Sequence, residues 1–105
     1  MHWSHSEKAV ARKAFQLALH REFDKVIAEV KKRAAALKEP TQIWDLEDYL
    51  TAQRKRIDRQ YDYRYSMLIM VFGDLISNRR LTEKELEGLS EDKLEHIRRL
   101  SEPIR

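Results

Sequence analysis

Apolar residues recur in the first part of this chain at Phe15, Leu19, Phe23, Val26, Val30, Ala34 and Leu37. Their steps of three and four keep one stripe on one face of a helix. Ser4 followed three residues later by Glu7 is a capping-box pattern, so the helix is expected to begin there and to run until Pro40 ends it. Thr41 is placed to cap a second helix, whose stripe reads Ile43, Leu46, Leu50, Ile57 and Tyr61 and continues through Leu68 and Phe72. Gly73 is the weak point of that run, and Ser77 with Asn78 supplies its end. Short helices follow. Thr82 and Glu85 form another capping box with Leu81 and Leu86 as its hydrophobic staple. Gly88 suits a left-handed stop, Ser90 starts a last helix stapled by Leu89 and Leu94, and Pro103 closes it.

Composition agrees with this reading. Only two glycines and two prolines punctuate 105 residues, so strands are disfavoured and the chain is expected to be all-α. It reads as a single domain over 1–105, with a long-helix stalk over about residues 4–66 and a helical head over about 67–105. A first helix of roughly 35 residues spans on the order of 50 Å, longer than a monomer of this size is wide. A lone hairpin leaves much of each stripe in water. An antiparallel homodimer covers both stripes, with Val30, Leu37, Ile43, Leu46 and Leu50 expected at the seam.

Charge and chemistry narrow the function classes. Lysine and arginine number 21 against 18 acids, a net charge of +3 spread in mixed sign, which describes a mildly basic surface and no dedicated polyanion binder. Without cysteine there is no disulfide and no thiolate chemistry, as expected of a cytoplasmic protein. MLIMVFGDLI, from Met67 to Ile76, is about half the ~20 residues needed to cross a bilayer, so membrane insertion is not expected. No nucleophile and base stand at a recognisable spacing, and His2, His5, His20 and His96 make no metal set; neither catalysis, metal nor cofactor is expected. Tyr61, Tyr63 and Tyr65, read on a helix, point in different directions. A helix-turn-helix over Leu81–Leu100, supplemented by Arg79, Arg80, Arg98 and Arg99, is an alternative, opposed by Glu91 and Asp92 at the end that would meet phosphate.

One short stretch stands out. In WDLEDYLTAQR, from Trp44 to Arg54, the indole lies roughly 120° from the stripe's centre at 100° per residue. Glu47, Asp48, Thr51 and Arg54 share its face. Trp and Arg combine contact area with directed hydrogen bonds, and a neighbouring carboxylate sets charge complementarity, so Trp44, Glu47, Asp48 and Arg54 form a candidate partner-binding surface. The plainer alternative packs Trp44 on the first helix or at a dimer seam and pairs Arg54 with Asp58 one turn later.

The same residues carry a family resemblance. WxLxDYLTAxR from Trp44 to Arg54, IDxxYDxRxS from Ile57 to Ser66, FxxAxxREFD from Phe15 to Asp24, and Trp3 with Ser4 together resemble the fluorescence recovery proteins, over about residues 3–78 and more loosely beyond. The resemblance implies an all-helical dimer with a small helical head. It implies a non-enzymatic regulator that binds the C-terminal domain of photoactivated orange carotenoid protein, speeds its return to the resting orange form and so ends antenna quenching. Trp44, Asp48 and Arg54 match family positions at the partner contact or dimer seam. Glu47 departs, standing where the cyanobacterial proteins carry histidine. A second reading is therefore a relative from a non-photosynthetic bacterium, with the same dimer and a different partner.

Overall fold

The computed structural model describes residues 1–102, so Pro103 lies outside the described residues. Helix α1 spans His5–Ala35, α2 Thr41–Gln60, α3 Leu68–Ser77 and α4 Glu91–Ser101, with a 3₁₀ turn at Glu83–Leu86; no strand occurs among the described residues. The radius of gyration is 16.7 Å and the longest extent 53 Å, against about 13 Å expected of a compact chain this long. The first half of α1 packs with α3, the 3₁₀ turn and α4 in one core, and its second half pairs with α2 as a hairpin that accounts for the excess.

The starts signalled at Ser4, Thr82 and Ser90 are present. Glu7 N–H donates to Ser4 Oγ at 3.2 Å and Ser4 N–H to Glu7 Oε1 at 3.0 Å, closing the capping box of α1. Thr82 N–H reaches Glu85 Oε1 at 2.9 Å, and Lys93 N–H reaches Ser90 Oγ at 3.3 Å. Thr41 does not cap α2. The turn into that helix is held by Gln42, whose Oε1 accepts from Lys38 N–H at 2.7 Å and Glu39 N–H at 2.8 Å. At the end of α3 the left-handed residue is Arg79, φ 61°, beyond Ser77 and Asn78.

The second helix is shorter than its stripe suggests. It stops at Gln60, and Tyr61–Arg64 continue as an irregular strap, followed by a turn at 65–67, before α3. Off the helix, Tyr61, Tyr63 and Tyr65 are released from the helical period that would point them apart. All three pack beside α1 in a run of rings: Tyr61 and Tyr63 stand edge-on to Phe15 at 5.5 and 4.8 Å, and Tyr65 lies 5.7 Å from Tyr63 and 5.6 Å from Trp3. Lys8 and Arg12 lie over the rings of Tyr65 and Tyr63, each 5.2 Å from the centroid.

The buried line of α1 also differs from the apolar stripe. It reads Glu7, Ala11, Ala14, Ala18, Glu22. Small residues let the head approach closely, so the buried face of this helix is not its most hydrophobic one. Phe72, Leu68, Leu75, Leu86 and Ile97 fill the core against it. Both glycines serve the same close packing: a Cβ on Gly73 would stand 2.7 Å from Leu100 Cβ where α4 crosses α3, and one on Gly88, φ 110°, would stand 2.7 Å from Val10 Cγ2. Glu7 closes one end of the line, taking hydrogen bonds from Ser90 N–H at 2.9 Å and from the buried Lys93 ammonium at 3.0 Å, which also lies 4.9 Å from the Trp3 ring centroid. The Ser4 N–H, and after it those of Ser90 and Lys93, outweigh burial and hold the Glu7 carboxyl at about 2.

A carboxyl whose folded pKa is depressed stabilises above its unfolded value and loses that contribution as pH falls. For Glu7 the window runs from its ordinary 4.5 down to about 2. Glu7→Gln is expected to lower stability at neutral pH and to flatten the acid limb between those limits, measured by urea unfolding at stepped pH.

Candidate functional site

A single buried carboxylate fixes how the hairpin leaves the head. Glu22, 2% exposed, accepts from Arg56 Nη2 of α2 at 3.0 Å, from the Tyr61 hydroxyl of the strap at 3.0 Å, and from Arg80 Nε of the loop after α3 at 3.2 Å. Burial pushes the Glu22 carboxyl up, but the bonds from Arg56, Arg80 and Tyr61 together hold it below the usual carboxylate range. The Tyr61 hydroxyl is pushed up by burial and by the bond it donates to Glu22. A second clamp lies one residue away: Arg21 forks onto both oxygens of Glu85 at 2.7 Å and donates to the Arg80 carbonyl at 2.9 Å.

Held this way, α2 presents the sequence-predicted surface to solvent. Trp44 is 62% exposed, and Glu47, Asp48 and Arg54 are exposed with it. Among the described residues none of these four has a side-chain hydrogen bond or ion pair, so the expected Arg54–Asp58 pair is not formed. Trp44, Glu47 and Asp48 lie within about one turn; Arg54 sits roughly 15 Å further along the helix. There it shares a hollow of about 430 Å³ with Phe23, Val26, Leu50, Gln53, Ile57 and Asp58.

The candidate seam residues flank the same hairpin. Ile43 and Leu50 are exposed, while Val30, Leu37 and Leu46 are half-buried. Leu37 and Leu46 meet at a smaller hollow of about 200 Å³ near the hairpin's tip. Phe23 and Ile27, both about half exposed, extend this apolar surface along α1. Ile27 was missing from the sequence-predicted set, although its place one turn after Phe23 carries the signal.

The helix-turn-helix geometry is absent: Glu83–Leu86 is one 3₁₀ turn, and Lys93 of α4 points inward. Arg80 is held by Glu22, Arg98 by Glu83 and Arg99 by Glu95, so these cations already have anions. No helix among the described residues is long and apolar enough to cross a membrane.

A family model described as photoprotection regulator fluorescence recovery protein matches residues 3–101. The chain belongs to the fluorescence recovery protein family. The match therefore runs through α4, beyond the stretch where the sequence motifs are densest. The fluorescence recovery protein of Synechocystis sp. PCC 6803 is 35% identical over 99 residues, 94% of this chain and 91% of that one. Its solved structure has a TM-score of 0.90 to this one, covering 95% of this chain and 98% of that chain. The fluorescence recovery protein of Fremyella diplosiphon, 44% identical, also has a TM-score of 0.90 with the same coverage. As a fluorescence recovery protein family member the chain is all-helical, and the Trp44 strip lies on the hairpin of that fold.

The Glu22 junction makes a stability prediction. Glu22→Ala leaves Arg80, whose side chain is 17% exposed, without its carboxylate. Loss of one member of such a buried set is expected to cost about 3 kcal/mol or more in urea unfolding, and Glu22→Gln, which keeps an acceptor, less.

Proposed function

We propose that this chain is a non-enzymatic, cytoplasmic regulator that binds the C-terminal domain of photoactivated orange carotenoid protein and accelerates its return to the resting orange form. The observation that carries this reading is Trp44: an indole 62% exposed on a rigid helix, with Glu47 and Asp48 beside it and no partner of its own among the described residues. Large exposed aromatics beside charged groups are the composition of binding hot spots. Family membership supplies the photoprotective setting.

The working unit of this reading is an antiparallel homodimer. Its support is the exposed apolar residues Phe23, Ile27, Ile43 and Leu50 of the hairpin, of which Phe23 and Leu50 line a 430 Å³ hollow. Val30, Leu37 and Leu46 continue that surface toward the tip. A second copy covers it by the same self-complementary contact on both chains. A protein speeds another's conformational return only by holding the transition arrangement better than the open one, which favours a preorganised surface over a yielding one. Glu47 favours one variant of the reading, a family member with the same dimer and a different partner, because it sets an exposed carboxylate at the centre of the strip.

Mixed with photoactivated orange carotenoid protein, the chain is expected to shorten colour recovery in the dark. Trp44→Ala is expected to lower its potency about thirtyfold, the loss that goes with a hot-spot side chain worth about 2 kcal/mol. Unchanged recovery with the unmodified chain would leave the different-partner variant standing. Light scattering is expected to give the mass of two chains at micromolar concentration, and Leu50→Glu the mass of one.

A further inference from the structure

The α1–α2 hairpin has a second trough, of about 440 Å³, whose chemistry is opposite to the first. Val26 and Gln53 line both hollows, so the two lie on either side of one helix–helix contact. On α2 the residues facing them, Tyr49 and Arg54, are about 140° apart at 100° per residue. The trough is therefore separate from the apolar surface assigned to the second copy.

Its walls carry four cations, Lys25, Lys32, Arg56 and Arg80, against two carboxylates, Glu22 and Glu29. Both acids are already engaged: Glu22 by Arg56 and Arg80, Glu29 by Arg33 at 3.0 Å. Arg33 also lies over the ring of Tyr49, 4.1 Å from its centroid, bracing the far wall. Lys25 and Lys32 have no hydrogen-bond or ion-pair partner among the described residues, and Arg80 uses three of its five N–H groups on Glu22 and the Asn78 carbonyl. The surplus positive charge is thus held on side chains with donors to spare, and two of the cations are positioned by a buried group.

The order of charges along α1 selects the ligand. Lys25, Glu29 and Lys32 follow each other on one face, positive, negative, positive, with the two lysines about 10 Å apart. Glu29, although paired with Arg33 in an exposed and therefore weak ion pair, still interrupts the row of lysines with a carboxylate, so the unbroken negative charge of a nucleic-acid backbone or an anionic membrane fits the row less well. A peptide whose acids are separated by a neutral or basic residue straddles that carboxylate. Acids two to four residues apart in an extended segment span roughly 7–13 Å, which brackets the lysine spacing. We infer that this trough is a second docking site, for an acidic protein segment with spaced carboxylates, independent of the Trp44 strip.

The test is a titration of the full chain, by backbone amide NMR, with a twelve-residue peptide of the repeat Glu-Gly-Lys-Glu. Shifts are expected at Lys25, Glu29, Lys32, Tyr49 and Gln53, with affinity falling as salt rises. Lys25→Glu with Lys32→Glu is expected to weaken binding at least tenfold, Lys25→Gln with Lys32→Gln by less in the same direction, and Trp44→Ala not at all. Both lysines are exposed, and circular dichroism checks that the variants keep their helices. Shifts confined to other surfaces, or binding that neither double variant changes, would overturn the inference. So would pyrophosphate or phosphatidylglycerol vesicles occupying the trough as tightly as the peptide.

Discussion

The carboxylate of Glu22 is the point through which the hairpin and the head know each other's position. It sits on α1 but is satisfied by α2, by the strap and by the loop after α3. A carboxylate this deeply buried is tolerable only with several donors around it, so swinging α2 away from the head removes the Arg56 donor and leaves the charge to Tyr61 and Arg80 alone. The cost of leaving that geometry is what makes the hairpin a rigid projection. Without it, two helices with largely exposed apolar residues would have little reason to hold one angle.

The same logic repeats at the other end of the buried line. Glu7 receives α4 and the chain start as Glu22 receives α2, and between them lie only alanines, Ala11, Ala14 and Ala18. Apolar burial along this line is small per residue. The head instead gains by close approach to the alanine backbone and by anchoring at both ends, with Phe72, Leu75 and Ile97 supplying the bulk from the other side. The large side chains of α1 are thereby left over for the ring stack, where Phe15 is used, and for the open hairpin surface, where Phe23 and Ile27 are not covered.

How much of this was legible follows from which interactions are local. Capping boxes at Ser4 and Thr82 depend on residues three apart and the Gly88 turn on a single residue, and each was readable. The break after Gln60 was written in YDYRY, a strict alternation that does not follow the helical period, but a helix-period stripe on both sides masked it. The alanine line was hidden because hydrophobicity ranks Phe and Leu above Ala, whereas packing distance favours the smaller residue. Glu22 was invisible for a different reason: its partners lie 34, 39 and 58 residues away, and no local pattern links them. Trp44 was legible as an anomaly, an aromatic off the stripe, because its angle follows from position alone; the exposure of Ile43 and Leu50, on the stripe itself, was not legible from angle.

Rigidity at Glu22 has a consequence for how the two sides of the hairpin relate. Arg56 contributes its Nη2 to Glu22 while its remaining donors brace Gln53 and Gln60, so one guanidinium is at once part of the junction and part of the trough wall. Gln53 in turn borders both hollows. A ligand on the cationic side and a second copy on the apolar side would therefore both meet Gln53, while Arg56 lines the cationic side alone. Coupling between two sites requires such a shared element with its own preferred arrangement, and contacts on either side that differ between arrangements. Here the shared element is tied through Arg56 to one buried carboxylate that several bonds hold, which favours independent occupation: a partner on either surface would meet the geometry that the junction sets.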